Sequence, residues 1–201
     1  MLSTVARPDA LVTRRPELRG RLTFVQIGVP SRSELASYAA VEAEISRLVA
    51  DINHRHATNG VPLVAYHTRA LEAPSLVALY RMAHFCVVSS LHDGMNLVAK
   101  EFVAARDDER GVLVLSALAG AAQELDAALL VNPYDLEGFT AALARAIDMP
   151  LAEQAARMRA MRDVVAGQNV FTWASDILDG LESLWTKPLV YAVRGWEETS
   201  V

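Results

Sequence analysis

Residues 93–101 read DGMNLVAKE, which places a carboxylate and a glycine directly ahead of a helical pattern. The first N–H groups of a helix lack partners within the helix and lie at the positive end of its dipole, so they suit a diphosphate. Gly94 would let a ligand come close to the backbone, and the amides expected to face that ligand are those of Met95, Asn96 and Leu97. The two carboxylates expected to accept hydrogen bonds from sugar hydroxyls and a ribose diol are Asp93 and Glu101.

The same pattern has a purely structural explanation. Asp-Gly before a helix is an ordinary cap and turn, and Lys or Glu within a helix usually lies on a solvated face. The run also lacks the Gly-rich loop followed by Lys-Ser/Thr that marks a P-loop. The residues alone therefore leave both interpretations open.

Two further loops could contact a ligand. Residues 116–124 (SALAGAAQE) are mostly small, which allows the backbone to approach a ligand or, equally, a neighbouring strand. In residues 28–32 (GVPSR), Arg32 could hold a phosphate with two hydrogen bonds, although a solvated arginine beside a helix cap is the better explanation from the residues alone. His54 and His56 are two positions apart and would point away from each other on a helix, so no metal site is predicted.

The elements that would position these loops alternate between strands and helices. Five short, nearly continuous apolar runs predict buried strands at Leu22–Ile27, Pro62–Tyr66, Phe85–Ser89, Val112–Leu115 and Ala128–Val131. Helical patterns separate them, so the expected fold is a doubly wound, mostly parallel α/β sheet of the Rossmann-like type. Ligands of such sheets bind at the carboxyl ends of the strands, where the three loops would lie.

Composition limits the function further. The 201 residues are 52% hydrophobic and 21% charged, enough for one sizeable core, and the net charge of −5 argues against a nucleic-acid partner. The single cysteine, Cys86, excludes a disulfide within the chain. No signal peptide or membrane-spanning run is recognised, so we expect a cytoplasmic protein without a membrane partner. We divide it into an N-terminal segment (1–20), an α/β domain (21–185) and a tail (186–201).

Several blocks, taken in order, resemble the trehalose-6-phosphate synthases, which are retaining UDP-glucose glycosyltransferases. The blocks are VQIGVPSR at 25–32, DGMNLVAKEFVAAR at 93–106, GVLVLS at 111–116, AGAAQEL at 119–125 and ALLVNPYD at 128–135. The similarity extends over roughly residues 15–184. It implies the C-terminal, nucleotide-sugar-binding half of a two-domain glycosyltransferase of the GT-B type.

That resemblance implies glucosyl transfer from UDP-glucose to glucose 6-phosphate, giving trehalose 6-phosphate, with no metal and no organic cofactor. It assigns Asp93 to the catalytic site and Arg32 to the phosphate of the acceptor. The residues that it assigns to the donor are Gly94, Met95, Asn96, Leu97, Val98, Glu101 and Leu76. A glucosylglycerol-phosphate synthase-like domain and an inactive UDP-glucose-binding fragment are the alternatives.

One departure from the family pattern affects the expected activity. The family carries an arginine and a lysine in a segment like VDRLDYTKG, and the 201 residues begin after the place where that segment would stand. Removing one pre-positioned charge from a site of this kind costs about 3 kcal/mol of transition-state stabilisation. We therefore expect turnover only with a chain that supplies the missing N-terminal domain, and we expect self-association through an uncovered sheet edge.

Overall fold

A computed structural model describes residues 2–29, 36–168 and 170–186. Strands and helices alternate through most of the chain, as the apolar runs predict. The strands are β1 (Phe24–Ile27), β2 (Val64–His67), β3 (Phe85–Val88), β4 (Val112–Ser116) and β5 (Leu129–Val131). The helices are α1 (Leu2–Arg14), α2 (Ala36–His56), α3 (Ala73–Met82), α4 (Leu97–Ala105), α5 (Leu136–Asp148), α6 (Leu151–Gly167) and α7 (Val170–Thr186), with short 3₁₀ turns at Pro16–Leu18 and Gly120–Gln123.

All strand pairs are parallel, and they form two groups. β1 pairs with β2, while β4 lies between β3 and β5. Each predicted strand is present, with ends that differ from the prediction by no more than two residues. The predicted α/β class with parallel strands is therefore confirmed.

Two apolar clusters cover the two faces of the strands. The first takes side chains from α1, α2 and α5, and the second takes them from α3, α4 and α6. Strand β4 contributes to both, because Val112 and Val114 lie in the first cluster while Leu113 and Leu115 lie in the second. This division follows from the alternation of side chains along a strand, and it places helices on both faces of the sheet.

The winding direction reverses between β1 and β3. Helix α2 connects β1 to β2 on the face of the first cluster, whereas α4 connects β3 to β4 on the face of the second. A reversal of this kind opens a crevice beyond the carboxyl ends of the strands, which is where ligands of doubly wound sheets bind. The loop after β3, which contains Asp93, lies at this position.

The chain forms two compact units, residues 1–165 and 166–201. The first contains all five strands and the residues of both apolar clusters. Within the second, the Thr172 hydroxyl in the first turn of α7 donates to the Gly167 carbonyl at 3.2 Å. The division into segments 1–20, 21–185 and 186–201 stays a prediction, and residues 187–201 of the expected tail lie outside the described residues.

Candidate functional site

The loop after β3 is attached to the loop after β4 by the backbone. The Gly120 N–H donates to the Asp93 carbonyl at 2.9 Å, and the Ala121 N–H donates to the Met95 carbonyl at 2.7 Å. These bonds continue the parallel pairing of β3 and β4 beyond the strands, so that Asp93 and Ala119 form an isolated parallel bridge. The position of Asp93 is therefore set by two neighbouring loops.

Gly120 makes this contact possible. A Cβ atom at Gly120 would lie 2.6 Å from the carbonyl carbon of Gly94, closer than Cβ atoms come to other heavy atoms, and 3.1 Å from the Met95 nitrogen. The small residues at 116–124 thus allow close approach of a neighbouring loop, one of the two alternatives left open by the sequence. A Cβ at Gly94 would meet nothing within 4 Å, so the space beside Gly94 is open.

The Asp93 carboxylate is held by groups of its own loop. It accepts from the Asn96 side-chain Nδ2 at 2.8 Å, from the Met95 N–H at 3.1 Å and from the Ser90 hydroxyl at 3.4 Å. The Asn96 contact, followed by the Met95 amide, holds the pKa of Asp93 below its usual range. Asp93 is therefore ionised at neutral pH, in one orientation, and remains partly exposed at the crevice.

Asn96 begins the helix that follows. It adopts a left-handed conformation with φ of 77°, and its Oδ1 accepts from the Ala99 N–H at 3.0 Å, which makes it the N-cap of α4. The sequence pattern predicts that this helix begins near Met95, but in the structure it begins at Leu97. Within the described residues the N–H groups of Leu97 and Val98 have no acceptor, so these two amides are available to an anion.

The expectation for the Met95 amide was wrong. Its N–H is used within the protein, because it donates to the Asp93 carboxylate. The sequence places a polar cap residue at 96 and also at 93, and the spacing alone does not show which of the two begins the helix. The left-handed backbone of Asn96, which asparagine tolerates better than most residues, decides it.

Two contacts that sequence reasoning missed fix the first turns of α4. The Tyr80 hydroxyl donates to Glu101 Oε2 at 3.1 Å, and Lys100 Nζ forms an ion pair with Glu124 at 2.6 Å. Tyr80 is buried, and burial, followed by nearby Cys86 and Glu101, raises the pKa of its hydroxyl well above the usual value. Tyr80 therefore stays protonated and can act only as the donor to Glu101.

Three of the predicted donor residues line one groove. Leu76 of α3 faces Val98 and Glu101 of α4 across a space of about 520 Å³ that also borders β1 and β3. Burial raises the pKa of the Cys86 thiol in the same wall to about 12, so this cysteine is protonated at neutral pH. The groove and the Asp93 loop together offer an apolar wall, the Glu101 carboxylate for a diol, and the free amides of Leu97 and Val98.

The structure thus brings together all of the predicted donor residues that it describes. Gly94, Met95 and Asn96 lie in the loop, Leu97, Val98 and Glu101 on the first turns of α4, and Leu76 opposite them. Arg32 lies outside the described residues, so its predicted contact with a phosphate stays a prediction. Within the described ranges, no cluster of three His, Cys, Asp or Glu residues could hold a metal ion, and no helix is both long and apolar enough to cross a bilayer.

A comparison with known families decides the classification. The sequence profile of glycosyltransferase family 20 matches residues 8–183. The chain belongs to this family. A trehalose-6-phosphate synthase of Sinorhizobium fredii is 43% identical over 175 residues, which are 86% of this chain and 38% of that protein.

Solved structures of family 20 relatives agree with the fold. A UDP-forming alpha,alpha-trehalose-phosphate synthase of Burkholderia xenovorans, in complex with glucose-6-phosphate, is 41% identical with a TM-score of 0.86, covering 90% of this chain and 40% of that one. An E. coli structure bound with UDP-2-fluoro glucose is 35% identical with a TM-score of 0.86, again covering 90% and 40%. The chain therefore spans less than half the length of these relatives, and its fold corresponds to part of a family 20 glycosyltransferase.

Proposed function

We propose that this chain binds UDP-glucose as the donor half of a glucosyltransferase that forms trehalose 6-phosphate from glucose 6-phosphate. The observation that carries the proposal is the pair of unpartnered amides, Leu97 and Val98, beside an ionised and oriented Asp93 at the start of α4. A diphosphate would bind these amides, and Asp93 would accept hydrogen bonds from the transferred glucose.

The remaining contacts fit a nucleoside next to the diphosphate. Glu101 lies one turn beyond Leu97 on α4, and the Tyr80 hydroxyl fixes the orientation of its carboxylate toward the groove. A ribose presents two hydroxyl donors, which a single carboxylate can accept together. Leu76 and Val98 would contact the apolar edges of the nucleoside. Arg32 is proposed to bind the phosphate of glucose 6-phosphate.

The relatives support this choice of substrates. The E. coli structure was solved with UDP-2-fluoro glucose and the B. xenovorans structure with glucose-6-phosphate, and both share the fold of this chain at more than 30% identity. The 201 residues alone are expected to bind UDP-glucose only weakly, with a Kd of about 1 mM, because Lys100, the described cation on the first turns of α4, is already paired with Glu124. They are not expected to form trehalose 6-phosphate, which in this proposal also needs the other half of the cleft.

Calorimetric titration with UDP-glucose tests the donor site. The wild-type chain should bind weakly, and Asp93→Ala should weaken binding by about tenfold through loss of a charge-assisted hydrogen bond. Asp126→Ala is the matched control, since Asp126 is an exposed aspartate that precedes β5, at the opposite edge of the sheet. Unchanged affinity in Asp93→Ala, or a sub-micromolar Kd for wild type, would contradict the proposal.

A coupled assay of UDP release tests the second half of the proposal. With UDP-glucose and glucose 6-phosphate, residues 1–201 alone should show no turnover above the rate without protein. Clear turnover that Asp93→Ala abolishes would show that this chain is a complete catalyst, and the assignment as a donor half would be wrong.

A further inference from the structure

A fully buried serine ends β4 beside the Asp93 loop. Ser116 is the last residue of that strand and is 0% exposed. Its hydroxyl donates to the Ser90 carbonyl at 2.7 Å and accepts from the Leu118 N–H at 3.1 Å. A serine hydroxyl has a single proton, so the bond to Ser90 fixes its direction. Ser116 therefore connects the end of β4 to the loop that carries Asp93.

This side-chain bond stands where the backbone pairing of β3 and β4 is interrupted. Regular pairing ends at Val88 and Leu115, and the two segments pair again only at Asp93 and Ala119. Between these pairs the segment after β3 is one residue longer than the segment after β4, so an even parallel ladder cannot continue across it. The Ser116 hydroxyl holds the longer segment in place of a backbone group.

Ser90 in turn contacts the site residues directly. Its hydroxyl donates to Asp93 Oδ2 at 3.4 Å and accepts from Asn96 Nδ2 at 3.4 Å. Hydrogen bonds of this length are at the long limit, and a small displacement of Ser90 would break them. The bond from Ser116, at 2.7 Å, holds the Ser90 backbone against such a displacement. The orientation of the Asp93 carboxylate thus depends in part on a residue outside its own loop.

The amides at the start of α4 have a separate support. Leu97 and Val98 open that helix, which is anchored in the second apolar cluster by the fully buried side chains of Phe102 and Val103. Neither hydrogen bond of the Ser116 hydroxyl reaches α4. Loss of this hydroxyl should therefore move the Asp93 carboxylate more than it moves the two amides.

We propose that Ser116 is a positioning residue that strengthens binding of the sugar part of a sugar nucleotide. This role rests on the proposed function, in which Asp93 accepts hydrogen bonds from the transferred glucose. Ser116 is fully buried and does not touch the ligand. It holds Ser90, and the side chains of Ser90 and Asn96 hold the Asp93 carboxylate in the orientation that accepts from the sugar. UDP has no glucose for Asp93 to bind, so its affinity should not depend on Ser116.

Titrations with two ligands separate this role from a merely structural one. Ser116→Ala removes only the hydroxyl, and in amide NMR titrations it should raise the Kd of UDP-glucose by about threefold to fivefold and that of UDP by less than about twofold. Thr140→Val is the matched control, because Thr140 is 2% exposed and its hydroxyl donates to the Leu136 carbonyl within α5. The control should leave both Kd values unchanged. Equal weakening of the two ligands by Ser116→Ala, or no weakening of either, would overturn the proposal.

A second variant tests whether Ser116 acts through Ser90. Ser90→Ala keeps the carbonyl that Ser116 binds but removes the hydroxyl between Asp93 and Asn96, at a position that is only partly buried. It should weaken UDP-glucose selectively, as Ser116→Ala does. The double variant should lose no more affinity than the weaker-binding single variant, because both changes release the same carboxylate. Additive losses, or an unchanged Kd in Ser90→Ala, would overturn the proposal.

A measurement without ligand distinguishes failure of this proposal from failure of the proposed function. The pKa of Asp93, followed by NMR, should rise toward its ordinary value in Ser116→Ala, because the contacts that stabilise the carboxylate loosen, and should not change in Thr140→Val. An unchanged Asp93 pKa in Ser116→Ala would overturn the positioning role. Absence of UDP-glucose shifts at Leu97 and Val98 in the wild-type chain would instead contradict the proposed function, and the pKa would still decide whether Ser116 holds Asp93.

Discussion

The two groups of strands differ in how completely neighbouring elements cover them. All five residues of β4 are buried between two partner strands and two layers of helices, whereas β1 has four residues of which none is fully buried. The candidate site belongs to the well-covered group, since the Asp93 loop follows β3 and is held by the loop after β4. The conformation of Asp93 is therefore determined within this chain, by the better-covered group of strands.

The difference in burial predicts the largest contrast in stability. Leu115→Ala, at a fully buried position of β4, should lower the free energy of unfolding by about 3 kcal/mol, because it leaves a cavity in the second apolar cluster. Val25→Ala on β1, where Val25 is 40% exposed, should cost less than about 1 kcal/mol. Urea denaturation of both variants measures this, and similar losses would show that the two groups of strands are equally packed.

A pair of glycine variants tests how the site is attached to the better-covered group. Gly120→Ala should lower the free energy of unfolding by about 2 kcal/mol and weaken UDP-glucose binding, because its Cβ displaces the Gly94 carbonyl. Gly94→Ala should leave stability within about 0.5 kcal/mol of wild type, since its Cβ meets nothing. We nevertheless expect Gly94→Ala to weaken UDP-glucose binding, because the new methyl group would face the ligand. A stable Gly120→Ala protein with unchanged binding would contradict this attachment.

Tyr80 connects the wall of the groove to the site through Glu101. Tyr80→Phe removes the hydrogen bond to Glu101 and should weaken UDP-glucose binding by about threefold to fivefold, with Glu101→Gln as its partner in a double-mutant cycle. Additive losses in the cycle would mean that Tyr80 acts through packing alone. A coupling of about 1 kcal/mol would identify it as a positioning residue for the Glu101 carboxylate.

The smallest effect concerns the charge of Asp93. Its pKa is lowered in the folded state, so its stabilising contribution is present above the unfolded value of about 4 and is lost as pH falls through the folded value. Because Asp93 is partly exposed, that contribution should stay below about 1 kcal/mol. The difference in unfolding free energy between wild type and Asp93→Asn should be constant from pH 8 to about 5 and shrink below about pH 4.

Asn96→Gly provides the control for that pH dependence. Glycine keeps the left-handed backbone at this position but removes the side-chain donor that contributes most to lowering the Asp93 pKa. The Asp93 pKa, followed by NMR, should therefore rise toward its ordinary value in this variant. An unchanged pKa would show that the Asn96 contact does not hold the carboxylate.

The sequence predicted most of the fold because buried parallel strands appear as continuous apolar runs. All five strands and the helices between them follow from that pattern and from the helical spacing. The spacing after β4 also predicts a short helix near Ala117–Leu125, but the structure has only a 3₁₀ turn at Gly120–Gln123, where Gly120 lies against Gly94 of the neighbouring loop. Local patterns do not reveal such a contact between distant loops.

The site was predictable only in part, for a related reason. The residues of the Asp93 loop were found from their types, but the use of the Met95 amide depends on the left-handed conformation of Asn96. The contact of Tyr80 with Glu101 joins residues on two helices, so no single motif contains it. The sequence suggested an uncovered sheet edge, and among the described strands β1 and β3 each pair on one side only. The predicted self-association stays untested, and light scattering would measure it.

The most direct test of the donor site is a titration of the ¹⁵N-labelled chain with UDP-glucose, followed by amide NMR shifts. The proposed function predicts progressive shifts at Leu97 and Val98, the two unpartnered amides, with smaller shifts at Asn96 and Glu101 and none on β5. Asp93→Ala should reduce all of these shifts at the same ligand concentration. Shifts confined to other elements, or none at Leu97 and Val98 at saturating ligand, would contradict the assignment of this loop as the UDP-glucose site.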